Sequence, residues 1–133
     1  MSPTPIDNTQ LAHKLFQTLS DSDYVSLEKM FTPDAVWTVV PVSIPGSGDH
    51  KGAATITNDF REIRAMFESG GPKLHVTNVI DGGRWVAVET HTVGKFKQGG
   101  IYDSHYCWVM EVVGGKIRVL KEYMDGGYVA KQM

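Results

Sequence analysis

The stretch Tyr102–Asp125, YDSHYCWVMEVVGGKIRVLKEYMD, decides the fold. Its first part, Tyr102 to Val113, is rich in aromatic and β-branched residues and reads as a long strand. Gly114-Gly115 interrupts it, and Ile117 to Met124 resumes the same character. A glycine pair between two such runs reads as a hairpin turn, so the strands are antiparallel neighbours. Side chains alternate along a strand. One face of the long strand therefore carries Asp103, His105, Cys107 and Val109, and the other carries Tyr102, Ser104, Tyr106, Trp108 and Met110. Both faces are mixed, and apolarity alone does not choose between them.

Upstream of this hairpin lie further strands, Leu74 to Ile80 and Trp85 to Val93, joined by an Asp81-Gly82-Gly83 turn. A loop around Gly94 to Gly100 leads into the long strand. The first half of the chain is mostly helical. Asp7 followed by Gln10 reads as a capping box, with Ile6 and Leu11 as a hydrophobic staple. Leu11, Leu15, Phe16 and Leu19 recur at helical spacing, which predicts a helix over about Asn8 to Leu19. Leu27, Met30 and Phe31 suggest a short second helix stopped at Thr32-Pro33. Ala35 to Val40 reads as a strand, and Pro41 to His50 as a loop. Ile56, Phe60, Ile63 and Phe67 share one face of a long third helix, ended near Ser69-Gly70-Gly71-Pro72. The prolines at 3 and 5 predict a flexible arm over residues 1–6.

This order predicts a single α+β domain over residues 1–133: a curved antiparallel β-sheet with three helices packed on one face, leaving a pocket between them. A chain of 133 residues suits one domain. Its net charge of −2 and scattered basic residues argue against nucleic-acid binding. No apolar run approaches a membrane span of roughly 20 residues, and no signal peptide is read at the N-terminus. Cys107 is the single cysteine, so no internal disulfide and no cysteine-based zinc site is expected. The expected setting is cytoplasmic. No glycine-rich phosphate loop or nucleophile elbow is found.

Trp37 to Pro41 after a helical pair, Gly-Lys-Ile at 115–117 and Glu-Tyr-Met-Asp at 122–125 resemble the nuclear transport factor 2-like superfamily. Within it, the chain is most similar to SnoaL-like polyketide cyclases and small isomerases. The resemblance spans about residues 8 to 126 and implies a cone with a deep pocket. Its members include ketosteroid isomerases, limonene epoxide hydrolases, polyketide cyclases and many non-enzymes. By spacing, the ketosteroid isomerase tyrosine and two aspartates fall on Phe16, Val40 and Cys107. The limonene epoxide hydrolase water-holding residues fall on Trp37 and Val39, and its arginine and aspartate fall near Thr90 and Thr92. Only its last-strand acid has a counterpart, at Glu122. Neither motif is intact.

The spacing of the resembled family places Asp103, His105 and Cys107 inside the cone. On the last strand it places Leu120, Glu122 and Met124 inside, and Lys121, Tyr123 and Asp125 outside. His105 with Glu122 and Asp103 is then the expected acid–base set, because a carboxylate orients an imidazole that titrates near neutral pH. Asp59 and Asp125 are further candidate acids, and His50 could roof the cavity. Glu89 and His91 are read as outward, beside an inward row of Val86, Val88, Thr90 and Thr92, so no metal site is expected. Phe16, Tyr24, Trp37, Val39, Phe60 and Phe67 are the expected pocket wall, joined by Thr90, Cys107, Leu120 and Met124. Such a wall suits a small hydrophobic molecule.

The leading expectation is a cofactor-free isomerase or cyclase acting by acid–base catalysis on a polyketide- or terpenoid-like secondary metabolite. The alternatives are a non-catalytic ligand-binding or assembly module, or an epoxide-opening hydrolase. The row Tyr102, Ser104, Tyr106, Trp108 and Met110, read as outward, predicts a homodimer through the outer sheet face. The alternative is that the tail from Gly126 folds over that row.

Overall fold

The computed structural model describes residues 7–133; the expected arm over 1–6 and the Ile6 half of the staple lie outside them. Helix α1 (Asn8–Ser20) starts at the expected capping box, where Asp7 accepts from the Gln10 backbone N–H at 2.8 Å and Gln10 accepts in return. Helix α2 (Tyr24–Lys29) is capped by Asp23. Strand β1 (Phe31–Val39) begins earlier than expected, so Phe31 is a strand residue and not the end of a helix. The presumed loop contains a short strand, β2 (Gly48–Lys51), paired antiparallel with the end of β1. Helix α3 (Ala53–Arg64) stops short of Ser69. Beyond it the chain turns so that Phe67 bridges to Phe96 and stacks on it at 4.4 Å.

Strands β3 (Lys73–Asp81), β4 (Trp85–Lys95), β5 (Ile101–Val113) and β6 (Lys116–Met124) follow the expected pattern within a residue or two. A short helix not anticipated, α4 (Gly126–Gln132), closes the chain and is capped by Asp125. The sheet has six strands in the order β2-β1-β6-β5-β4-β3 and does not close into a barrel. All neighbours pair antiparallel except β1 and β6, which run parallel. None of the described helices is long and apolar enough to cross a membrane.

The core lies between α1, α3 and one face of this sheet. Phe16 of α1 meets Trp108 of β5 with ring centroids 5.1 Å apart, and Phe60 of α3 stacks on Trp37 of β1 at 3.8 Å. The expected inward row of β4 is inward: Val86, Val88, Thr90 and Thr92 are all buried. Directly opposite them across the ladder stand Met110, Trp108, Tyr106 and Ser104. Cross-strand partners share a face, so this row points into the core with them.

The expected parity of β5 is therefore reversed. Tyr102, Ser104, Trp108 and Met110 are buried and Tyr106 nearly so, while Asp103 and His105 are exposed and Cys107 is half-buried on the outer face. The energetics explain the choice. Burying a large apolar side chain contributes roughly 1.5–3 kcal/mol, and this row holds several, whereas the opposite row would bring a carboxylate and an imidazole out of water. The reversal also removes the argument for a dimer through an apolar outer row. The outer face instead carries a line of histidines in register, His75, His91 and His105, on β3, β4 and β5.

Candidate functional site

Between the helices and the inner face of the sheet lies a cavity of about 90 Å³. Its sheet side is built from Trp37 and Val39 of β1, Thr92 of β4, Tyr102, Tyr106 and Trp108 of β5, and Glu122 and Met124 of β6. Phe60, Ile63 and Arg64 of α3 form the opposing wall, with Leu19, Phe67, Pro72 and Leu74 closing one end. The mouth is covered by Ile44 and Pro45 of the β1–β2 loop and by Val129 and Met133 of the C-terminal segment. These two covers touch each other: a Cβ on Gly126 would come within 2.9 Å of Pro41 Cβ. The alternative expectation has the tail cover the Tyr102 row on the outer face; the tail instead lies at the Tyr102 end of a row that faces inward. The Tyr102 and Tyr128 rings lie 5.6 Å apart, and the Asp103 backbone N–H donates to the Tyr128 hydroxyl at 2.9 Å.

Glu122 is the carboxyl that the fold delivers to this cavity. It faces inward because β6 alternates about Leu120, Glu122 and Met124, and it sits opposite Trp108 on β5. Among the described residues it forms no ion pair. Burial pushes its pKa up to about 8, so the carboxyl is protonated at neutral pH. The Trp37 indole N–H is near enough to pull slightly the other way, yet it meets hydrogen-bonding geometry with no partner.

Beside Glu122, on β5, the Tyr102 and Tyr106 hydroxyls are hydrogen-bonded to each other. Burial pushes Tyr102 up to about 12 and raises Tyr106 further, with the nearby Glu122 adding to both. Both phenols thus stay neutral donors. The Trp108 indole N–H is occupied by Thr90 Oγ1 at 3.0 Å. At the far end Arg64 is 3% exposed, and its guanidinium donates to the Pro72 carbonyl at 2.9 Å. Burial lowers its pKa from the ordinary arginine value.

The other expected site residues are dispersed. Asp103 and His105 lie on the outer face, where Asp103 contacts His91 Nε2 at 2.5 Å and His105 stacks on His91 at 4.4 Å. Cys107 is outside too, and burial, with Glu89 adding, raises its thiol pKa. Asp125 caps α4 through the Tyr128 N–H. Asp59 holds His50 Nδ1 at 2.6 Å, while His50 Nε2 donates to the Gly46 carbonyl at 2.6 Å. His50 stacks on Trp37 at 4.4 Å, so this pair backs the indole and ties down the covering loop.

Of the expected wall, Trp37, Val39, Phe60, Phe67 and Met124 line the cavity. Phe16, Thr90 and Leu120 are buried in the core behind it, and Tyr24 lies under the Arg61 guanidinium, 4.9 Å from the ring centre. Tyr102, Tyr106 and Arg64 were not read as site residues. The cross-strand pairing of β5 with the correctly oriented β4 was the signal for the tyrosines; for Arg64 the sequence carries none beyond its place one residue after Ile63 on the buried face of α3. Among the described residues no group of three or more His, Cys, Asp or Glu side chains is placed to hold a metal ion.

A curved six-stranded sheet with helices on one face and a lidded apolar cavity is the architecture of the nuclear transport factor 2-like proteins. The fold matches Bal32a from a soil-derived mobile gene cassette with a TM-score of 0.83 at 21% identity, covering 94% of each chain. It matches TerC, co-crystallised with polyporic acid, with a TM-score of 0.82 at 17% identity, covering 93% of this chain and 95% of that one. It also matches an LEH-like epoxide hydrolase of M. tuberculosis with a TM-score of 0.75 at 17% identity, covering 92% of this chain and 85% of that one. No curated protein matches the chain. The SnoaL-like domain family matches residues 12–120, and the chain belongs to that family.

Proposed function

We propose that the protein is an isomerase or cyclase that moves a proton on a small oxygenated carbocycle held in the cavity, with Glu122 as the proton-handling group. The observation that supports this best is a buried carboxyl without an ion-pair partner, protonated at neutral pH, facing a chamber whose wall is mostly apolar. A neutral carboxyl protonates or hydrogen-bonds a substrate oxygen in a way that a carboxylate cannot. The Tyr106 hydroxyl, hydrogen-bonded to Tyr102, supplies a second donor for a developing enol or enolate oxygen when it accepts from that neighbour. After giving up its proton, the carboxylate is the base that recovers one from the adjacent carbon. No step needs a cofactor.

Size limits the substrate. Pockets for drug-sized ligands run to roughly 300–1,000 Å³, so a polycyclic polyketide or terpenoid requires the Ile44–Pro45 loop and α4 to move outward, whereas a single ring asks less. A SnoaL-like polyketide cyclase of Jannaschia sp. CCS1 shares the fold with a TM-score of 0.78 at 15% identity, covering 94% of this chain and 90% of that one. Opening an epoxide with water needs a base and an acid acting together, and a lone neutral carboxyl favours proton transfer over that reaction.

The test is deuterium exchange at the α-carbons of cyclohexenones in D₂O, followed by NMR. The wild-type protein is expected to accelerate exchange, Glu122→Gln to lose about 100- to 10,000-fold of that acceleration, and Tyr106→Phe to lose a smaller part. Equal rates for wild type and Glu122→Gln would overturn the assignment.

A further inference from the structure

Three buried side-chain polar atoms of the described residues have no hydrogen-bond partner: Trp37 Nε1, Arg64 Nε and Thr92 Oγ1. All three residues line the same cavity. Buried polar groups are paired in the great majority of cases, and the rest of this core follows that rule. Trp108 Nε1 has Thr90, and the Ser20 hydroxyl accepts from the Leu74 N–H. Unmade bonds gathered on one chamber therefore describe its contents. An indole N–H and a guanidinium N–H only donate, and a threonine hydroxyl donates as readily as it accepts. The complement of this set is a molecule that presents acceptors.

Charge narrows the choice. Arg64 is a buried cation whose partners are all neutral at pH 7: the Pro72 carbonyl at 2.9 Å, the Ser20 carbonyl at 3.5 Å and Ser22 Oγ at 3.4 Å, with the Tyr24 hydroxyl beside them. No carboxylate pairs with it among the described residues. Lys73 Nζ donates to the same Ser20 carbonyl at 2.8 Å, which adds positive charge at this end. Thr92 is at this end as well, because it pairs with Leu74 across β3 and β4. Trp37 and Glu122 occupy the other end, on the paired strands β1 and β6. A buried cation that meets only neutral acceptors is costly unless something neutralises its charge.

We infer that the cavity takes a small carbocyclic anion, with its carboxylate or ionised enol oxygen held by Arg64 and Thr92 and its second oxygen turned toward Trp37 and Glu122. This deepens the proposed function by naming the charge class of the substrate, and it rests on that reading only for the second oxygen. The cavity volume limits the occupant to about one ring unless the mouth opens.

Isothermal titration calorimetry at pH 7 with matched probes tests it: benzoate against benzamide, and trans-cinnamate against cinnamamide. Wild type is expected to bind each carboxylate about ten- to hundredfold more tightly than its amide, as for hydrogen bonds to a charged group. Thr92→Val, nearly the same shape without the hydroxyl, is expected to weaken the carboxylates about three- to tenfold and the amides by less, so that the preference narrows. Arg64→Met is expected to abolish the preference. If that variant does not fold, the wild-type pairs and Thr92→Val still decide. Glu122→Gln is expected to keep the preference, so a failure of the proton-transfer reading leaves this result standing. The inference is overturned if no carboxylate binds more tightly than its amide, or if the preference survives both Arg64→Met and Thr92→Val.

Discussion

Replacing Glu122 by Gln isolates the free energy stored in one buried proton. In the unfolded chain the carboxyl titrates near its ordinary value of 4.5, and in the native protein near 8. Below pH 4.5 both states hold the proton and the group contributes no pH dependence. Between the two values the native state keeps a proton that the unfolded chain has released, so wild-type stability falls as pH rises, by about 1.4 kcal/mol per unit. Above pH 8 the loss is complete, at about 5 kcal/mol. That is a large share of a typical domain's stability of 5–15 kcal/mol. Gln keeps the size and removes the ionisation, so the variant lacks this slope. Urea denaturation of both proteins between pH 4 and 9 gives the difference in unfolding free energy. All other titrating groups are common to both and cancel. The variant is expected to gain on wild type steadily from pH 4.5 to 8, whatever constant offset the amide brings. A difference that stays flat across that range would refute the claim that Glu122 is held protonated by burial.

Two further substitutions probe the architecture. His105→Ala removes an exposed ring whose main contact is the stack on His91; it is expected to change unfolding free energy by no more than about 0.5 kcal/mol and to leave deuterium exchange at the wild-type rate, and a collapse of activity would return the chemistry to the outer face. Gly94→Ala would put a Cβ 2.8 Å from Pro72 Cβ and 3.1 Å from Phe67 Cδ1; thermal melts should show a loss on the order of 1–3 kcal/mol, and an unchanged melting temperature would mean that the chain at Pro72 yields freely.

The elements were legible where local chemistry acts alone. The Asp7–Gln10 capping box, the glycine turns and the alternation of β4 and β6 each point one way, and the structure follows them. The β5 face was not legible from β5 itself, because each of its rows mixes polar and apolar groups. Its orientation is inherited from β4 through the ladder, where Thr90 stands opposite Tyr106 and Val88 opposite Trp108. Reading the two strands as a pair would have placed Tyr102 and Tyr106 in the site and removed His105. Of the five candidate acids and bases, only Glu122 reaches the cavity; Asp59 and Asp125 are satisfied locally, as partners to His50 and to the start of α4. Arg64 escaped notice because a cation late on a helix ordinarily complements the helix dipole at the surface. Nothing local announces that Pro72 and Ser20 converge on it. Helix α4 was missed because Gly126-Gly127 argues against a helix start, and its cap and its packing against Pro41 supply what propensity lacks.

The parallel pairing of β1 with β6 sets an order of events for the chain as it is made. β1 and β2 leave the ribosome early, but Val39 finds its neighbour Glu122 only when nearly the whole sequence has emerged. Until then the inner edge of β1 is an open template, and Trp37 and Phe60 have only part of their cover. The hairpins β3–β4–β5 can form in sequence, each closing a short loop against its predecessor. Joining the two halves is a long-range step, and such closures are what slow folding. A ribosome stalled before Lys116 therefore holds a chain whose sheet is in two pieces, with a hydrophobic strand edge free to pair with a neighbouring nascent copy.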